Sequence, residues 1–155
     1  MLNNSVDMKK NTLFVLILIT LFSCKNNDCS DYACFTPPPS FIFELVDKST
    51  GENLFSNGSL SPDEIRVFDE ENNRFNASFI SEDNVNIIDV SEIGWNLGSH
   101  SYMLIAGIDL EINIVLEIEE KNENCCTYFE VINFQILNYE FSKSNTTGII
   151  TVLIP

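Results

Sequence analysis

Residues 109–119 restrict the fold of this chain more than any other stretch. Leu110, Ile112, Ile114, Leu116 and Ile118 fall on one phase of a two-residue period, and Glu111, Asn113, Glu117 and Glu119 fall on the other, with Val115 the one exception. Successive side chains of an extended strand point to opposite faces, so this pattern describes a strand with one dry face and one wet face. Phe41, Phe43 and Leu45 repeat the same period in 41–47. Further strands are expected over 65–68, 75–80, 85–90, 100–107 and 148–154, with 125–141 forming one long strand or a bent pair.

Turn chemistry separates these runs. Residues 48–53 and 56–59 are polar clusters, and the pair Asn57-Gly58 favours the positive φ of a tight turn. Ser61-Pro62-Asp63-Glu64 has the look of a helix start, but β-branched and aromatic residues follow at once, so a bend leading into a strand is expected. Residues 69–73 read as a hairpin turn and 121–124 as another. No stretch has the apolar spacing of an amphipathic helix, and no internal repeat is present. The fold class is therefore all-β, a single antiparallel β-sandwich of about 7–9 strands over residues 41–155.

The chain begins with a different kind of segment. Lys9 and Lys10 precede an apolar run from Leu13 to Phe22, broken only by Thr20, and the run ends in Leu21-Phe22-Ser23-Cys24. This is the layout of a secretory signal. As a helix the ten-residue core reaches only about 15 Å, against the ~30 Å a bilayer requires, so removal is expected rather than spanning. Asp7 ahead of the basic pair points to Met8 as the functional start. The tetrapeptide resembles the lipobox of bacterial lipoproteins, with an aliphatic residue three positions before the cysteine and a small one just before it. That resemblance implies a signal peptide over 1–23, acylation of Cys24, and an outer-membrane lipoprotein in the periplasm or at the cell surface. More than one acyl chain on Cys24 gives stable attachment. Lys25-Asn26-Asn27-Asp28 resembles the short acid-bearing surface-export signal of Bacteroidota-type lipoproteins, and is equally a solvated tether. Residues 24–40 form the tether, with Pro37-Pro38-Pro39 as a stiff extended spacer.

Removal of 1–23 leaves 132 residues, enough for one domain. Six basic and 22 acidic residues remain, a net charge near −16, which repels phosphate backbones and excludes nucleic acid as a partner. Cations and basic proteins are not repelled. With Cys24 given to lipid, Cys29, Cys34, Cys125 and Cys126 are an even set for an oxidising compartment. Adjacent Cys125 and Cys126 face opposite ways in a strand, and a bond from one N-terminal cysteine to this pair closes a loop of about 90 residues, worth roughly 4 to 5 kcal/mol. That bond is expected. The spacings do not match structural zinc sites.

Residues 40–155 resemble the small immunoglobulin-like or transthyretin-like domains of Bacteroidota-type lipoproteins. The resemblance is carried by Pro37-Pro38-Pro39 through Phe43, the turn from Leu45-Val46-Asp47-Lys48 to Phe55, and the final strand; it brings no catalytic motif and lacks the cysteine and tryptophan arrangement of antibody domains.

Little chemistry is written in the sequence. His100 is the only histidine, so any triad would have to be built on it, and no nucleophile elbow, metalloprotease, phosphate-loop or dinucleotide motif is present. The acids of 69–73 alternate, but Arg74 stands where a calcium loop of the EF-hand type needs glycine. Calcium binding at acidic loops is kept as a minor expectation. Trp95, in Ile93-Gly94-Trp95-Asn96-Leu97-Gly98, sits in a loop where an indole stacks on a sugar or a partner side chain, or else plugs the core. The functional expectation is a lipid-anchored, non-enzymatic envelope domain for structure, adhesion or protein binding. A glycan-binding accessory module working through Trp95 and a small hydrolase using acidic loop residues are the alternatives.

Overall fold

The computed structural model describes residue 29, residues 33–34, 36–82 and 85–155. The signal segment, Cys24 and Lys25-Asn26-Asn27-Asp28 lie outside the described residues. The chain divides into two units, Met1–Ala33 and Cys34–Pro155. In the first, Cys29 is in a disulfide and both Cys29 and Ala33 are exposed. The second is the β-body.

Ten strands build that body: β1 Ile42–Asp47, β2 Arg66–Asp69, β3 Arg74–Phe75, β4 Ser78–Glu82, β5 Val85–Asp89, β6 Gly98–Ala106, β7 Leu110–Glu123, β8 Cys126–Ile136, β9 Glu140–Lys143 and β10 Ile150–Ile154. They form two five-stranded sheets, β4-β5-β1-β10-β9 and β3-β2-β6-β7-β8. The all-β sandwich expected from the alternation is present, with slightly more strands. One pairing departs from the antiparallel expectation: β1 and β10 run parallel, Phe43 opposite Ile150 through Asp47 opposite Ile154.

The period-2 pattern decides which residues meet inside. Ile112, Ile114, Leu116 and Ile118 of β7 are all 1% exposed or less, as are Phe43 and Leu45 of β1 and Ile150 and Val152 of β10. Each such side chain contributes about 1.5–3 kcal/mol when taken out of water. Phe41, just ahead of β1, is fully buried and stacks on Phe134 at 5.7 Å. Val115 faces outward from β7 and is only partly exposed.

Three segments differ from the sequence expectation. Residues 75–80 are not one strand: β3 and β4 belong to different sheets, and the Asn76 N–H between them donates to the Glu92 carboxylate instead of to a ladder. Residues 125–141 are the bent pair, with β8 in one sheet and β9 in the other. Residues 121–123 are strand rather than turn. β7 continues five residues past Ile118, which pairs with Gly98 at the start of β6, and β8 follows it back from Cys126. The turn is reduced to Asn124 and Cys125, with Asn124 at φ 54°, a conformation asparagine tolerates better than most residues.

β7 and β8 thus form an arm that overhangs the sheet by about 16 Å. At its base the register shifts between Glu117 and Ile118, leaving Ile132 as the extra residue of a β-bulge, a feature that increases local strand twist.

Candidate functional site

The arm is held from its tip. Cys34 is bonded to Cys126 across 92 residues of sequence, with Cα atoms 5.3 Å apart, and Cys125 is also in a disulfide. From Cys34 the chain runs to Phe41, which sits against Phe134 eight residues along β8 from Cys126. Pro37-Pro38-Pro39 therefore lies beside the body as a brace from arm tip to arm base. Pro39 is seated closely: a Cβ placed on Gly94 would stand 2.2 Å from its carbonyl oxygen. Prolines suit this place because an extended segment that needs no ladder hydrogen bonds loses nothing by lacking N–H groups.

Gly94 belongs to a short 3₁₀ turn, Ser91–Trp95, between β5 and β6. The turn is fastened at several points. Asp89 accepts the backbone N–H of Ser91 at 2.8 Å, Glu92 holds Asn76, and Ile93 is fully buried. Ile93, not Trp95, is the core plug. Trp95 is 61% exposed, and its indole meets Phe129 of the arm edge-to-face, with centroids 6.0 Å apart. Such a contact is worth about 0.5–1.5 kcal/mol beyond burial and fixes the ring plane. Leu97, 46% exposed, follows it.

The polar groups near this indole are engaged with one another. Asn96 donates through Nδ2 to the Tyr102 hydroxyl at 2.9 Å, and burial raises the pKa of that hydroxyl. His100 places Nε2 at 2.9 Å from the Leu97 carbonyl oxygen and Nδ1 at 3.6 Å from Glu70. The single histidine is thus a fastener of the loop. Glu70 also accepts the Ser101 N–H, and hydrogen bonds from backbone N–H groups, its own first, hold its carboxyl below the usual range. The arm itself is acidic. Glu119, Glu120, Glu123 and Glu130 lie on it, with Lys121 bonded to Glu119 and 3.9 Å from Glu130.

Of the tyrosines, Tyr102 reaches this loop through Asn96 and through its ring contact with His100, and the ring beside Trp95 is Phe129. The sequence reading missed Phe129. Its signal was present in the alternation of β8, where Phe129, Val131, Phe134 and Ile136 pack toward the core across the bulge.

At the opposite end lies a cleft of about 570 Å³, lined by Leu60, Glu64, Gly107, Asp109, Leu110 and Tyr139 among others. Glu64 and Asp109 are the carboxylates available to a hydrolytic reading. The acidic loop 69–73 closes on itself: Asp69 accepts the N–H groups of Glu71 and Asn73 and the Asn73 side chain, and the last bond leads in lowering its pKa. Among the described residues, no three histidine, cysteine or acidic side chains are grouped to hold a metal ion. No helix among the described residues is long and apolar enough to cross a membrane.

No family model, curated protein or solved structure matches this chain.

Proposed function

We propose that this chain is a lipid-anchored envelope domain that binds a protein partner through the platform of Trp95, Leu97 and Phe129, and carries out no reaction of its own. One observation carries the reading: a large aromatic side chain is 61% exposed yet held in a fixed orientation by a fastened turn and by Phe129. Exposing an indole forfeits apolar burial, and fixing it removes the entropy cost of ordering it later. Tryptophan is among the residues most enriched at binding hot spots, where a rigid aromatic anchor enters an apolar pocket on the partner.

The surroundings favour a protein over a glycan. Sugar recognition needs side chains around the indole to read hydroxyl groups, whereas Asn96 and His100 are bonded within the protein and Leu97 and Phe129 are apolar. The acidic arm beside the platform adds a preference for a basic partner surface.

The test is site-specific photocrosslinking in cells. A photoreactive residue at Leu97 is expected to capture a discrete protein, one at exposed Ser142 on β9 is not, and Trp95→Ala is expected to abolish the Leu97 product. Equal products at both positions would reject the platform. Quenching of tryptophan emission by a glycan, without any crosslink, would replace it with the carbohydrate reading.

A further inference from the structure

Each of the two sheets ends in two edge strands, and an edge strand turns the N–H and C=O groups of every second residue away from its neighbour. Proteins guard such edges by keeping them short, by placing lysine or proline on them, or by covering them. Three of the four edges here are short: β3 has two residues, β9 four and β4 five. β8 is not. It runs for eleven residues, Cys126–Ile136, about 36 Å, with Glu130 as its one charged residue and no lysine or proline. Among the described residues, its backbone makes no backbone hydrogen bond outside the ladder with β7, and none joins it to residues 36–40 of the brace. The bulge at Ile132, 45% exposed, interrupts the edge once.

We infer that the outer edge of β8 receives an extended, basic segment of the partner protein, which joins the five-stranded sheet as an added strand beside the Trp95 platform. This rests on the protein-binding reading above and deepens it by naming the form of the partner. A row of unpaired N–H and C=O groups is complementary to another extended backbone. Side chains then set the pattern. Those of Phe129 and Glu130 point to opposite faces, so successive residues of an added strand fall beside one and then the other. Beside Phe129 is the face on which the Trp95 indole lies, which favours an apolar residue. Beside Glu130 is the other face, where Glu119 stands directly opposite it in register, and Lys121 is bonded to Glu119 but 3.9 Å from Glu130. Two carboxylates facing each other across a ladder repel, and one lysine does not neutralise both, so a basic residue is favoured there. Charge opposes a second copy of this chain as the added strand. Each copy carries a net charge of −15, and β8 has no basic residue to offer the Glu130 of another β8.

The probe is a short synthetic peptide of alternating valine and lysine, fluorescein-labelled and added to the purified full chain with its disulfides intact. Binding is read by polarisation, and its place by protection of β8 amides from hydrogen exchange. Binding with protection within residues 127–135 is expected. The same peptide N-methylated throughout keeps its charges but loses its backbone donors, and is expected to bind about tenfold more weakly or worse. Ile132→Pro is expected to weaken binding to a similar extent, because proline is tolerated at an edge bulge and closes the edge to a neighbour; an unchanged melting curve shows the body intact. The methylated peptide needs no altered protein, so the test holds even where that variant folds poorly. No binding at millimolar peptide, or equal binding of the methylated peptide, would overturn the added strand. Loss of binding in Trp95→Ala but not in Ile132→Pro would remove the edge and leave the platform. The reverse would support the edge and remove the platform.

Discussion

Gly94→Ala is expected to be among the most damaging single-methyl additions to this protein, and for a reason that can be worked from distances. Gly94 does not have positive φ, so alanine fits its backbone conformation. The obstacle is contact alone. The added methyl carbon would lie 2.2 Å from the Pro39 carbonyl oxygen, 3.3 Å from its carbon and 3.5 Å from Phe41 Cε2. Separations under about 3.2 Å are strongly repulsive, so the brace must retreat by roughly 1 Å or the 3₁₀ turn must rotate. Neither is free to do so, since Phe41 two residues on is locked against Phe134 and Ile93 is buried beside the glycine. The cost is expected at the upper end of overpacking penalties, about 3 kcal/mol, or roughly 10 °C in Tm. Gly51→Ala supplies the contrast: it has φ +76° and nothing within 4 Å of an added Cβ, so it loses only the left-handed penalty of about 1–2 kcal/mol. Urea unfolding followed by circular dichroism measures both. A Gly94→Ala protein no less stable than Gly51→Ala would refute the seating of the brace against the turn.

Other expectations are simpler to state. Complete reduction removes the 92-residue constraint together with the disulfide bonding of Cys29 and Cys125, and should lower stability by at least about 4–5 kcal/mol, measured by urea unfolding with and without reductant. Ile118→Ala, at a fully buried site opposite Val131, should cost about 2–5 kcal/mol in the same assay. Asp47 is held charged by the Ser49 hydroxyl and by the Thr50 and Ser49 amides, and Asp69 by the Asn73 side chain, so both have lowered pKa values in the folded state. Their stabilising effect is complete above the ordinary carboxylate range and is lost as pH falls through the lower folded values; Asp69→Asn should flatten the acid limb of a plot of Tm against pH. Asn124→Gly, at a φ that glycine adopts freely, should leave the arm intact or slightly firmer, whereas Asn124→Val should destabilise it by about 1–2 kcal/mol in urea unfolding.

Legibility followed the hydrophobic period. Leu110 through Ile118 announced β7 because one face is dry, but residues 119–123 leave the sandwich and the inner face of the arm loses its full cover, so the pattern fades while the ladder continues. Polar composition there was mistaken for a turn. The break between β3 and β4 was hidden for another reason: Phe75, Phe79 and Ile80 read as one strand, and the interruption depends on a carboxylate sixteen residues away. The turn holding Trp95 was legible as a loop, and the orientation of its two apolar residues was not: Ile93 is buried and Trp95 exposed, with distant Pro39 packed on the Gly94 between them. Phe129 was legible as an inward-facing residue of β8 but not as a site residue, since that role comes from its contact with Trp95.

The parallel pairing of β1 with β10 has a consequence for the order of events when the protein is made. The place between β1 and the edge strand β9 belongs to residues 150–154, more than a hundred positions after their β1 partners, and β9 attaches only to them. A growing chain that has produced everything up to residue 149 holds β1, β4 and β5 as one group and leaves β9 with no neighbour in its own sheet. Closure of long loops precedes the reward of such distant contacts and makes folding slow. The body therefore locks only once its final strand slides into the gap, and until that moment the polypeptide stays threadable.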